Sequence, residues 1–161
     1  MLQSLAVVFA VIIGAGALLK GVSWARRERI VRAVDAESIV RSARGVSLKV
    51  LTQGETGLPG MSSTRANRTL GDLILTADRF LIGSARGVLV DIRPGRRRLA
   101  SARTTGPGRL VIEGDCPSPS GAPGGFRIEM VMEDARAWVE ALTPFVSEGA
   151  EFASIPHTPA N

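Results

Sequence analysis

The chain has no tyrosine, one cysteine and one histidine, and aromatic residues make up only 4% of its 161 positions. Each scarcity excludes something. A lone Cys116 cannot close an internal disulfide, so nothing points to an oxidising compartment. One Cys and one His are too few for the usual transition-metal ligand sets, and His157 lies in the tail, away from any nucleophile in the fold. Lysine is scarce as well: Lys20 and Lys49 are the only two among 20 basic residues. That arginine bias reads as the trace of a GC-rich bacterial genome. The turn Gly106-Pro107-Gly108 lacks the Lys and Ser/Thr of a phosphate-binding loop. The acidic pairs Glu113/Asp115 and Glu133/Asp134 fall at strand ends and read as solvated turns, and Cys116 reads as an idle exposed thiol. The sequence therefore predicts a non-enzyme with no catalytic residues, no cofactor and no metal site.

What is present begins at the N-terminus. Residues 5–19 are all apolar or Gly, and the wider stretch 2–22 is interrupted only by Gln3, Ser4 and Lys20. About 20 apolar residues span a hydrocarbon core of about 30 Å. Trp24 follows at belt position, then the basic cluster Arg26, Arg27, Arg29 and Arg32. No Lys or Arg precedes the run, so the positive-inside rule puts the N-terminus outside and the rest in the cytoplasm. The expectation is one transmembrane helix over residues 1–24 in a bacterial inner (plasma) membrane. The rival is a secreted domain released by signal cleavage after Ala17, since Ala15-Gly16-Ala17 has the small-x-small spacing, although the positive n-region is missing. Ala6, Ala10 and Gly14 form a small-residue stripe suited to close packing with a membrane-protein partner or a second copy.

Charge divides the chain. Residues 1–44 hold seven basic and three acidic residues, and residues 45–161 hold thirteen and twelve. The pI of about 10.9 thus belongs mostly to the first 44 residues, and a nearly neutral, aromatic-poor remainder argues against nucleic acid as a partner. Residues 25–44 read as a basic juxtamembrane helix or linker, with Asp35 or Ser38 available to cap a restart.

From residue 45 the hydrophobic period becomes alternating. Val46, Leu48 and Val50 start it, residues 52–69 read as a long exposed loop, and further short strands are expected at 70–76, 79–84, 87–92, 99–103, 109–113 and 126–132. Residues 117–125, composed of Pro, Ser, Gly and Ala, read as a flexible loop. A final helix is capped by Asp134 and presents Trp138, Leu142 and Phe145 on one face, with Pro144 limiting its length. The fold class expected for 45–147 is mainly β, a bent antiparallel barrel or sandwich closed by a C-terminal helix, followed by a loose tail at 148–161.

Short strands at 70–82, 110–112 and 126–132 followed by a helix carrying a central Trp138 resemble the pleckstrin-homology and GRAM-like superfamily, in its bacterial membrane-anchored form. The resemblance covers residues 45–147. It implies a helix that plugs an open barrel end, with Trp138 in the core. It also implies a non-catalytic interaction domain whose basic residues meet anionic lipid headgroups or a protein partner. Lys49, Arg65 and Arg68 stand at comparable places, and Arg96, Arg97 and Arg98 form the densest basic run. Two roles follow as expectations. One is an accessory or scaffold subunit of a larger membrane protein complex. The other is a lipid-responsive module that folds its basic loops onto the bilayer.

Overall fold

The computed structural model describes residues 34, 38–54, 58, 66–93, 99–116, 121 and 124–147. Seven strands appear in chain order: β1 (Ile39–Gly54), β2 (Asn67–Thr76), β3 (Phe80–Ser84), β4 (Gly87–Ile92), β5 (Leu99–Gly106), β6 (Arg109–Asp115) and β7 (Gly124–Val131). They are followed by the helix α1 (Ala135–Leu142) and a 3-10 turn over Thr143–Phe145. All pairings are antiparallel and the sheet order is β4-β3-β2-β1-β7-β6-β5, a half-barrel with β4 and β5 at its two edges.

The sixteen-residue β1 organises this sheet because it pairs along its length with β2 and along its second half with β7. Its alternation sends Val46, Leu48, Val50 and Thr52 inward and Ser47, Lys49 and Leu51 outward. Between Ala43 and Val46 the register shifts at a bulge, where Gly45 takes φ +65 and its N–H donates to Asp72 Oδ1 at 2.8 Å. A left-handed residue there lets the strand turn the corner of the half-barrel. Further along, Gly71 leaves room for Leu48: a Cβ at Gly71 would collide with the Leu48 side chain and stand 3.0 Å from the Gly83 carbonyl oxygen.

The core is the inner face of the sheet, with Leu48, Leu73, Phe80, Ile82, Leu110, Ile112 and Ile128 fully buried and Trp138, Leu142 and Phe145 inserted from the helical side. Trp138 meets Phe80 with ring centroids 6.4 Å apart, and the Arg41 guanidinium lies 5.7 Å above its ring. Arg41 also pairs with Asp134, tying the first half of β1 to the start of α1. Beyond the 3-10 turn the chain pairs with β5, Ser147 N–H donating to the Leu99 carbonyl at 2.8 Å. A second, smaller cluster of Val34, Ile74 and Leu81 lies apart from the main core.

Seven strands and a closing helix are present, but β1 and β2 are longer than expected, taking in 39–44 and both ends of the expected loop 52–69, and several other expectations need correction. Among the described residues no helix is long and apolar enough to cross a membrane. The described helix has eight residues, about 12 Å, against the about 30 Å of a hydrocarbon core. The mainly β fold with a transmembrane helix, the single-pass description and the inner-membrane location with N-terminus outside are therefore replaced by a seven-stranded antiparallel half-barrel with one short C-terminal helix. Residues 1–24, on which those expectations rested, lie outside the described residues, and so do Ala6, Ala10, Gly14, Arg26, Arg27, Arg29 and Arg32. Ile39 to Arg44, expected as helix, is strand, because pairing with β2 overrides a short apolar-polar pattern that fits either period. Asp134 makes no side-chain cap on α1; its carboxylate is taken by Arg41. Cys116 is buried in the core rather than exposed, and Leu58, inside the expected exposed loop, is buried too.

Candidate functional site

Charge on this domain is organised on the outer face of the sheet, by register. Leu51, Lys49 and Ser47 project outward from β1, and β7 answers with Arg127, Glu129 and Val131. On β6 the outward residues are Glu113, Val111 and Arg109, and on β5 Ser101 and Arg103 stand opposite Glu113 and Val111. On β2, Arg68 stands opposite Lys49 and Leu70 opposite Ser47. Five adjacent strands thus contribute side chains two residues apart to one surface.

The middle of this surface is an ion network. Glu113 accepts from Arg103 at 2.8 and 3.0 Å, from Ser101 at 2.8 Å and from Arg127 at 3.2 Å. Arg127 also donates to Glu129 at 3.1 Å, and Lys49 donates to the other oxygen of Glu129 at 3.2 Å. The Arg127 and Glu113 side chains are only 8% and 7% exposed. Burial raises the Glu113 carboxyl, but hydrogen bonds from Arg103 and Ser101 and the charges of Arg103 and Arg127 outweigh it and hold the group below its ordinary 4.5. Glu129 follows the same balance: burial raises it, while Lys49 and Arg127 bring it below 4.5. Both carboxylates are stabilised as anions, which suits a structural charge ladder and not a proton donor near neutral pH.

Above that network lies a shallow groove of about 350 Å³, bordered by Ser47, Lys49, Arg68, Arg109, Glu129 and Val131 among others. Its lining includes four cations, Lys49, Arg68, Arg109 and Arg127, against the single carboxylate Glu129. Lys49 and Arg127 are engaged by Glu129. Arg68 and Arg109 are exposed and make no ion pair with the described residues. Beside them, Leu70 and Val131 are 53% and 66% exposed, the most exposed large apolar side chains described on this face.

No family model and no curated protein matches this chain.

Of the basic residues singled out in the sequence, Lys49 and Arg68 come together on this face as cross-strand partners. Arg65, Arg96, Arg97 and Arg98 lie outside the described residues. Sequence reasoning missed Arg103, Arg109, Arg127 and Glu129, and it read Glu113 as a solvated strand-end acid where the side chain is buried. The signal was available in part: Arg127 and Glu129 alternate with Phe126, Ile128 and Met130, so both had to face away from the core. What converts alternation into a cluster is the register among β1, β6 and β7, which has no local signature. Among the described residues no group of three or more His, Cys, Asp or Glu is placed to hold a metal ion.

Proposed function

We propose that this chain is a non-catalytic docking module, a pleckstrin-homology-like domain that presents the outer face of its sheet to a protein partner as an accessory subunit of a larger assembly. The observation that carries the reading is the coincidence, on one face, of arginines that make no ion pair with the described residues and exposed apolar side chains. Arg68 and Leu70 on β2, and Arg109 and Val131 on β6 and β7, sit on strands held by cross-strand pairing. Protein-binding patches combine apolar anchors with charged rims, and a preorganised strand surface loses little conformational entropy on binding. Solvated surface charge alone does not require Leu70 and Val131 to be apolar.

A photo-crosslinking side chain at Val131, in the full chain expressed in its own cells, tests this reading. The control position is Val88, which is 38% exposed on the edge strand β4 and outside the groove. A discrete protein adduct from position 131 and none from position 88 is the expected result. Adducts formed equally from both positions, or only with lipid, would overturn it.

A further inference from the structure

We propose that the partner segment recognised by this groove is an acidic, extended peptide. It would cross the strands of the sheet, with carboxylates four residues apart and an apolar side chain midway between them. The inference rests on the docking reading above and specifies its ligand.

The argument begins with the row of residues across the sheet. Arg109 on β6 stands opposite Val131 on β7, and Ser47 on β1 stands opposite Leu70 on β2. Continuing the Leu48–Met130 register by one residue sets Val131 beside Ser47. The row therefore runs Arg109, Val131, Ser47, Leu70 over four adjacent strands, and Arg68 follows on β2 two residues along on the same face. Three inter-strand steps of about 4.8 Å and one two-residue step of about 7 Å at right angles to them place the two arginines roughly 16 Å apart at their backbones. An extended chain advances about 3.4 Å per residue, so residues i and i+4 are about 14 Å apart. Parity then decides the side chains: i, i+2 and i+4 of an extended segment point to one side. Carboxylates at i and i+4 meet Arg109 and Arg68 while the side chain at i+2 rests on Val131, with Leu70 flanking the Arg68 end.

A compact anion fits this surface less well. A phosphate group needs cations converging on one point. Here the cations nearest the centre, Lys49 and Arg127, are held by Glu129, whose own charge repels a second anion there. The two unengaged arginines stand at opposite ends of the row. Two dispersed arginines, with the exposed side chains of Val131 and Leu70 on the row between strands β7 and β2, match a linear polyanion rather than a single headgroup.

The test uses the purified full chain and fluorescence anisotropy of a labelled, end-capped peptide Ser-Glu-Ser-Leu-Ser-Glu-Ser. Binding is expected, weakened about tenfold or more by Glu-to-Gln replacement in the peptide or by the Arg68→Ala/Arg109→Ala double variant. Moving the second Glu one residue closer to the first puts the carboxylates on opposite faces and should weaken binding comparably. Inorganic phosphate and glycerol phosphate should not displace the peptide beyond the effect of matched ionic strength. No binding of the peptide, equal binding of the Gln peptide, indifference to the double variant, or displacement by either phosphate beyond that effect would each overturn the proposal. An unchanged thermal midpoint establishes that the double variant is folded. The Val131 crosslink separates the two ideas: an adduct with protein alongside failure of the acidic peptide leaves the docking face standing and removes only this ligand.

Discussion

Glu113 is the residue on which most of the outer-face network converges. It is almost fully buried on a face that alternation directs away from the core, and three other side chains reach it. Removing one member of a buried pair strands the other charge, at a cost of about 3–5 kcal/mol. Glu113→Ala is expected to lose about 3 kcal/mol in urea unfolding, toward the low end because Glu129 still holds Arg127. Arg103→Ala should cost about 1 kcal/mol or less, since that side chain is 44% exposed and its partner keeps Arg127. The lowered carboxyls of Glu113 and Glu129 also set the acid limb. A group depressed in the folded state contributes stability that is present above its unfolded value near 4.5 and lost as pH falls through its folded value. Unfolding free energy should thus be flat from pH 7 to about 5 and fall below about 4.5, with the fall shallower in Glu113→Gln. A decline already under way at pH 6 would mean that other groups control it.

At the scale of elements, the β1–β2 pairing and α1 carry the closure of the half-barrel, and both have a weak point that can be tested. Gly71→Ala should cost about 1–3 kcal/mol, because the added methyl meets Leu48 and the Gly83 carbonyl in a packed corner. Trp138 is fully buried against Phe80, and its indole N–H has no acceptor among the described residues. Trp138→Ala should cost about 3–5 kcal/mol, whereas Trp138→Phe should cost less because losing the orphan donor offsets part of the lost packing. Denaturant unfolding monitored by circular dichroism reads all three. The strands and this helix were legible because alternation and the Trp138, Leu142, Phe145 spacing are local patterns. The first six residues of β1 were not, since their pairing with β2 involves partners from Leu73 to Thr76, far along the chain, and a bulge at Gly45. The candidate site was half legible: Lys49 and Arg68 could be chosen as basic residues near the first strands. Their neighbours Arg109, Arg127 and Glu129 come from the far end of the sequence and join them only through register. The same limitation hid the burial of Glu113, which looks like an ordinary strand-end acid until Arg127 is set beside it.

For the whole molecule, the plugged inner face and the charged outer face divide the labour. Stability resides in the apolar inner face and the central ion ladder, and binding is assigned to side chains that neither of these uses. Arg68 and Arg109 make no ion pair with the described residues, so replacing them should leave folding almost untouched, within about 0.5 kcal/mol. The most direct measurement is therefore the Arg68→Glu/Arg109→Glu double variant carrying the photo-crosslinker at Val131 in its own cells. Its thermal midpoint would be determined in parallel. The account predicts an unchanged midpoint and loss of the protein adduct. An adduct that persists on a normally folded double variant would contradict it.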